Sequence, residues 1–308
     1  MYAKNLKNTS IYTLDFVIST VGILLRVAFF TLIERKIIGL IHYRVGPNKV
    51  VEWGVSQPIA DALKLLTKEY QKFTISRLII YYLGPLISLL LALLYWGFYE
   101  YSYSYITGSI KIIVIFSIIS LSAYGFLLTR WGSNSKYALL GGYRTVAQII
   151  SYEVCLIFLV LIIFYITKCY RVENIALSQR GVWFILYSLP LFITWVIICI
   201  AERSRTPFDH AERERELVSG YNVEYGGGFF VLAFVREYGI IIFLRFITSV
   251  LFLGINNIIL KTFLICIVYV WVRCAFPRVR YDKLIIICWK KLLPYRLAMV
   301  ALSSCYLL

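Results

Sequence analysis

The residues in this chain best suited to chemistry are its carboxylates, and they are scarce: 16 Asp and Glu among 308 residues, against 32 Lys and Arg. Glu202, Asp209, Glu212, Glu214, Glu216 and Glu224 fall within one stretch, AERSRTPFDHAERERELVSGYNVEY, together with Arg203, Arg205, Arg213 and Arg215. Long apolar runs flank it on both sides, VWFILYSLPLFITWVIICI before and FFVLAF after. So many charges cannot lie in hydrocarbon, which places the segment in a loop at one membrane face. A solvated connector is the plain reading of such a loop. Two details point further: the charges alternate from Glu212 to Glu216, and Glu202 and Glu237 carry acidity into the flanking apolar segments. The pattern suits a path for charge or protons that runs from a surface loop into the membrane.

Other ionisable residues inside apolar runs are Arg26, Glu34-Arg35-Lys36, Arg144, Glu153, Arg236, Glu237 and Arg245. A charge at the centre of a spanning helix costs roughly 2.5–3.5 kcal/mol on insertion scales, so such groups face a bundle interior or a wet cavity. Glu153 and Glu237 fall near mid-span. They fit either a proton relay or static pairs, Glu237 with Arg245 and Glu153 with a tyrosine. The seven cysteines show no C-x-x-C spacing and mostly sit in apolar runs, which makes them packing residues; no metal site is expected. Neither histidine, His42 or His210, is mid-span, which argues against bis-histidine haem. The glycine fingerprints of nucleotide-binding loops do not occur.

Hydrophobic residues make up 60% of the chain and charged ones 16%, the balance of a polytopic membrane protein. Windows of about 20 apolar residues predict eight spanning helices, over 11–34, 77–99, 110–130, 137–166, 182–201, 228–254, 259–276 and 284–307. The first apolar run is too long for a signal peptide and lacks a cleavage site, so it is expected to remain as a helix. The fold class is therefore all-α, with residues 1–308 forming one membrane domain. Lysine and arginine concentrate in the first, third, fifth and seventh loops, which puts those loops on the cytoplasmic or matrix side and both termini opposite. The charged inner loop covers 202–226. In the first inner loop, SQPIADALKLLTKEYQKF repeats Ile59, Ala62, Leu63 and Leu66 at helical spacing, with Lys64, Lys68 and Lys72 on another face. This predicts an amphipathic helix of about 56–70 lying in the interface, with Asp61 beside its apolar stripe. Gly226-Gly227-Gly228 before Glu237, and Gly141-Gly142 before Arg144, allow either local unwinding or close helix packing.

Several of these segments together resemble a known family. They are Glu34-Arg35-Lys36-x-x-Gly39, Arg44-x-Gly46-Pro47-Asn48, Gln57-Pro58-x-Ala60-Asp61-Ala62-x-Lys64-Leu65 and Gln148-x-x-Ser151-Tyr152-Glu153. To these are added Ala201-Glu202-x-x-Arg205-Thr206-Pro207-Phe208-Asp209, Glu216-Leu217-Val218-Ser219-Gly220-Tyr221-Asn222-x-Glu224-Tyr225 and Phe276-Pro277-Arg278-x-Arg280-x-Asp282. In order and spacing they resemble the quinone-site membrane subunit of respiratory complex I, the first core hydrophobic subunit of NADH:ubiquinone oxidoreductase.

The resemblance implies a subunit of a proton-translocating NADH:ubiquinone reductase that holds no redox centre of its own. It implies ubiquinone as substrate, with flavin, NADH and iron–sulfur clusters on partner subunits. Glu34, Asp61, Glu153, Glu202 and Glu237 would form a proton relay, and Arg35, Arg205, Phe208, Arg278 and Arg280 would line or brace the quinone tunnel. Asp209, Glu212, Glu214, Glu216 and Glu224 would face the iron–sulfur and quinone-binding peripheral subunits, and small membrane subunits would be further partners. The resemblance also implies a multi-pass protein of the mitochondrial inner membrane. The abundance of Tyr (25) and Phe (20) over Met (2) suits an organelle genome better than a bacterial one. Arg213 and Arg215 stand where the family has small residues, His42 where it has glutamine, His210 where it has leucine or proline, and Arg236 where it has a small residue. Arg213 and Arg215 are expected to pair with carboxylates, at least one on a neighbouring subunit. A cation/proton secondary transporter would also need buried carboxylates, but no internal repeat of the usual kind is evident. The related subunit of a membrane-bound hydrogenase is the other alternative.

Overall fold

The computed structural model describes residues 2–68, 77–97, 111–209 and 225–305, and it is all helical among them. The long helices are α1 (Tyr2–Ile41), α3 (Leu78–Gly97), α4 (Lys111–Ser133), α5 (Lys136–Thr167), α9 (Gly227–Leu253) and α10 (Ile258–Ala275). Shorter ones are α2 (Gln57–Leu66), α6 (Val172–Ser178), α7 (Phe184–Tyr187) and α8 (Leu189–Glu202). The chain ends in one continuous rod built from α11 (Tyr281–Ile286), a π-helical turn (Ile287–Leu292) and α12 (Leu293–Cys305).

Five helices are long and apolar enough to cross a membrane by length and composition: α1 from Val17, α3 from Leu78 to Trp96, α4 from Ile112, α5 and α10. The other three expected spans exist as helices with departures that have local causes. The fifth is broken at Ser188: α7 is a single turn, and α8 starts afresh with Pro190 in its first turn, where the missing N–H costs nothing. At 14 residues, α8 is about 21 Å long, shorter than a hydrocarbon core of about 30 Å. The sixth, α9, is long enough but carries Arg236, Glu237 and Arg245, all buried. The eighth begins at Tyr281 and absorbs Lys290 and Lys291 in its π turn.

The core runs through the contacts of α3 with α4 and α9, α4 with α5, α5 with α8 and α12, and α9 with α10. Its centre is filled by Tyr95, Ile119, Tyr152, Leu156, Leu159, Trp195 and Phe243, each almost wholly buried. Isolated leucine and isoleucine side chains on the rim, such as Ile79, Leu90 and Ile193, stay exposed in the single chain, as expected where lipid or another subunit covers the bundle.

Of the two glycine runs, only Gly141-Gly142 serves close packing; a Cβ on Gly226 would meet nothing within 4 Å. A Cβ on Gly142 would stand 2.7 Å from the Arg130 side chain, so this glycine admits the arginine between α4 and α5. Gly227 takes a φ of 56° at the very start of α9, and the helix then continues unbroken to Leu253. Glu237 therefore sits on regular helix. The closest approach of one helix backbone to another joins α3 and α4. A Cβ on Gly132 would lie 2.8 Å from the Tyr81 backbone, and one on Gly84 would lie 2.9 Å from Thr129. Tyr225 locks the same contact by stacking on Tyr81 at 4.4 Å and donating its hydroxyl to the Thr129 carbonyl at 2.7 Å. Backbone cannot retreat as a side-chain tip can, so Gly132→Ala should destabilise the bundle by about 1–3 kcal/mol, the usual cost of overpacking. Thermal unfolding of the detergent-solubilised protein measures this, and an unchanged midpoint would mean that α3 and α4 do not approach this closely.

Candidate functional site

Two spaces lie side by side against α1 and α9, one apolar and ligand-sized, the other polar and water-sized. The apolar cavity has a volume of about 610 Å³. Its walls are α1 (Leu24, Val27, Thr31, Arg35), α2 (Pro58, Asp61, Ala62, Leu65) and the start of α9 (Phe230, Val231, Phe234, Val235). This size falls in the range of cavities that take organic ligands, and a mostly apolar lining with a few polar groups at one end suits an amphiphile. The polar end is made by α2. Asp61 accepts from Arg35 at 2.7 Å and from Gln57 Nε2 at 2.9 Å. Arg35 and Asp61 are 52% and 37% exposed, so the pair adds little stability and is free to rearrange around an occupant.

The helix α2 falls within the expected 56–70 and is amphipathic in an unusual way. Pro58, Ala62 and Leu65 turn to the cavity, while Ile59, Leu63 and Leu66 are more than half exposed on the other side. Apolar groups on that outer face have no cover from the described residues, an arrangement that suits a helix lying at a bilayer surface.

The polar space holds about 20 Å³, enough for one water. It is lined by Phe30, Glu34, Arg203, Arg205, Tyr238, Arg245, Tyr269 and Arg273 with apolar groups from α8 and α9. Glu34 is 5% exposed; it pairs with Arg273 at the end of α10 and accepts the Tyr238 hydroxyl at 3.0 Å. Arg205 lies 3.5 Å from Glu237 and stacks over the Tyr238 ring at 4.5 Å. Arg245 stacks on Phe30 at 4.5 Å and on Tyr269 at 5.1 Å. Beyond this cluster, Arg203 holds Glu202 at 2.6 Å, with both side chains almost fully buried. Glu153 on α5 is 8% exposed, has Glu202, Arg203 and Ser120 for neighbours, and keeps one oxygen without a hydrogen-bond partner among the described residues.

The two spaces are separated by one aromatic layer. Phe234 lines the apolar cavity, Tyr238 lines the polar one a turn later on α9, and their rings lie 4.4 Å apart.

The structure thus brings Glu34, Glu237, Glu202 and Arg205 into one buried region, with Glu153 next to Glu202, and puts Asp61 and Arg35 on the rim of the apolar cavity. Glu237 pairs with Arg205 and not with Arg245, and Glu153 finds a serine rather than a tyrosine. Arg236 turns away from Glu237, donating to the Ser122 carbonyl at 2.9 Å and covering Phe126. Phe208 is buried against Tyr152 and lines neither space. Arg280 pairs with Asp282 at 3.0 Å on the surface, Arg278 is exposed, and Asp209 is buried. Glu212, Glu214, Glu216 and Glu224, with His210, Arg213 and Arg215, lie outside the described residues. Among the described residues no cluster of three or more metal-ligating side chains occurs.

Sequence reading missed Arg273, Tyr238 and Arg203 as partners of the carboxylates. Arg203 was within reach, being next to Glu202. Arg273 and Tyr238 are 239 and 204 residues from Glu34, and no local pattern links them. Removing one member of a buried pair leaves an uncompensated charge, which typically costs about 3–5 kcal/mol. Arg273→Ala should therefore lower stability by that amount, and adding Glu34→Gln should restore most of it. Denaturant unfolding of the three variants tests this; a single variant as stable as the parent would show that the pair does not hold α1 to α10.

A family model described as NADH dehydrogenase matches residues 14–304. A protein of Aedes aegypti named NADH-ubiquinone oxidoreductase chain 1 is 44% identical over 295 residues, covering 92% of this chain and 94% of its own. Proteins of the same name from Anopheles gambiae and Emballonura alecto are 43% and 40% identical. They cover 89% and 94% of this chain, and the same shares of their own.

Proposed function

The chain belongs to the NADH dehydrogenase family, and on that premise we propose that it is the membrane subunit of a proton-translocating NADH:ubiquinone oxidoreductase in which quinone reduction meets the proton path. The observation that carries this reading is the pairing of the two spaces. An apolar cavity of about 610 Å³ ends one aromatic layer away from a buried cluster of carboxylates and guanidinium groups.

In this reading residues 1–308 act as one membrane domain of the mitochondrial inner membrane. The apolar cavity between α1, α2 and α9 takes the isoprenoid tail of ubiquinone, and the exposed apolar face of α2 keeps its mouth at the depth of the lipid tails. The head group reaches the inner face, where neighbouring subunits bearing flavin and iron–sulfur clusters supply electrons. Reduction of the ring to the quinol takes two electrons and two protons. Around the polar space the guanidinium groups of Arg203, Arg205, Arg245 and Arg273 face the carboxylates of Glu34, Glu202 and Glu237. When all are ionised the cations exceed the anions by one, which favours negative charge arriving from the quinone side. A change of charge there alters the balance between Glu34, Arg273 and Tyr238, and the next carboxylates, Glu237 and Glu202, respond to the shared arginines. Glu153 is the last of the series within the chain. Its bare oxygen and its position beside Glu202 make it the group whose protonation the series can change at least cost.

Two measurements test the reading. A ubiquinone analogue with a photoreactive tail should label α1 or α2, and labelling confined to α10 and α12 would place the tail elsewhere. Glu153→Gln should leave assembly intact and lower proton translocation per electron by several-fold. If Glu153→Gln and Glu237→Gln enzymes both pump at the parent ratio, these carboxylates are structural.

A further inference from the structure

Between α5 and the terminal rod lies a second buried reactive group that takes no part in the proposed relay. Arg296 of α12 is fully buried. One of its N–H groups bonds to the Cys155 carbonyl, while Nε and the other terminal nitrogen find no acceptor among the described residues. The ionisable groups around it are Cys155, Cys199, Cys288 and Tyr295, and none of these is a carboxylate. Cys155 and Cys288 are themselves fully buried, with sulfurs 3.5 Å apart. The Cys288 thiol also donates to the Ser151 carbonyl at 3.2 Å.

A guanidinium sealed in the core without a carboxylate is costly. Among the groups around it, Cys155 and Cys288 are the two thiols in contact with each other, and a thiolate there would bring it negative charge. Thiolates are the reactive form of cysteine, and a neighbouring arginine supports them. We propose that Cys155 and Cys288 are an oxidisable dithiol that closes to a disulfide on reaction with a small hydroperoxide, with Arg296 as the residue that supports the attacking thiolate. One sulfur attacks a peroxide oxygen; the O–O bond breaks, a sulfenic acid forms, and the first water leaves. The second sulfur attacks the sulfenic sulfur; the S–S bond forms and the hydroxyl departs as a second water with the remaining thiol proton. Two electrons pass from the sulfurs to the peroxide, and hydrogen peroxide is small and uncharged enough to reach a dry site.

The local structure favours closure over further oxidation. The sulfurs need to approach by about 1.5 Å. The helices are already clamped on both sides of them by Tyr152 donating to the Leu284 carbonyl at 3.1 Å and by Trp289 donating to Ser151 Oγ at 3.3 Å. Cys288 lies in the π turn, where an extra residue per turn gives the backbone a local adjustment that a regular α-helix lacks. The bond would tie the segment of α5 that carries Glu153 to the last helix.

The test uses native membranes containing the protein. They are exposed to graded hydrogen peroxide, free thiols are blocked with one isotopic alkylating reagent, and reduced thiols are marked with a second. The expected result is a peptide pair joined through Cys155 and Cys288, lighter by two hydrogen atoms and released by a thiol reductant. Recovery of both as free thiols, at a dose that oxidises the exposed Cys305, would overturn the proposal. Cys288→Ser should abolish the linked peptide. Arg296→Met should slow its formation by on the order of tenfold while Arg296→Lys retains most of the rate; equal rates in parent and Arg296→Met would remove the arginine from it.

Discussion

The meeting of the helices depends most on buried charges that are held by partners from distant parts of the chain. Glu34 shows this most directly. It is the last acidic residue of α1, and its oxygens are held by Arg273 from α10 and Tyr238 from α9, three helices converging on one carboxylate. Bulk water does not reach a carboxylate that is 5% exposed, and an unpaired buried ion costs several kcal/mol. The pairing therefore fixes how α1, α9 and α10 meet. The walls of both cavities come from the same helices, so their shapes are set by the same contacts.

The segment after α8 obeys the same rule through its backbone. Gln148, fully buried on α5, donates to the carbonyls of Ala201 at 2.6 Å and Phe208 at 3.1 Å, at either side of the turn. The Val279 N–H donates to the Pro207 carbonyl at 3.0 Å, which joins the turn to the segment after α10. A turn with these anchors holds its side chains in register, and so Arg203 and Arg205 point to opposite carboxylates, Glu202 and Glu237, two residues apart. Phe208 serves the anchor and not a cavity. That explains why a residue inside the most suggestive motif of the chain is packed in the core.

Much of this was legible in the sequence, for reasons of period and cost. Apolar length located the spans, and the expense of buried charge singled out Glu153, Glu202 and Glu237 before any partner was known. The helix over Gln57–Leu66 could be read from the spacing of Ile59, Ala62, Leu63 and Leu66. What could not be read was pairing. The choice of Arg205 over Arg245 for Glu237 is a matter of which helix crosses where, since Arg245 lies two turns further along α9 and stacks between Phe30 and Tyr269 instead. The break before α8 was also hidden, because Ser188-Leu189-Pro190 sits in a run whose apolar character continues across it. Hydropathy sums over such a run and is blind to where its helix begins.

The difference in size between the two spaces carries a mechanistic consequence. A volume near 610 Å³ admits a large ligand, while one near 20 Å³ admits a water, so no part of a quinone can pass from the first to the second without unstacking Phe234 from Tyr238. If the apolar cavity holds the quinone as proposed, what the layer passes is charge, a proton or an electrostatic influence. Tyr238 touches both sides, since its ring meets Phe234 and its hydroxyl ends on Glu34. Coupling of this kind needs no large motion of the helices. It needs a hydrogen-bonded carboxylate whose partners can be redistributed, and Glu34 has two, an arginine and a phenol, with different responses to added charge. The low polarisability of the surrounding core strengthens such a response over the short distances involved. Arg273, Tyr238 and Arg205 around Glu34 and Glu237 form one connected set of contacts, the set that the proposed coupling would use.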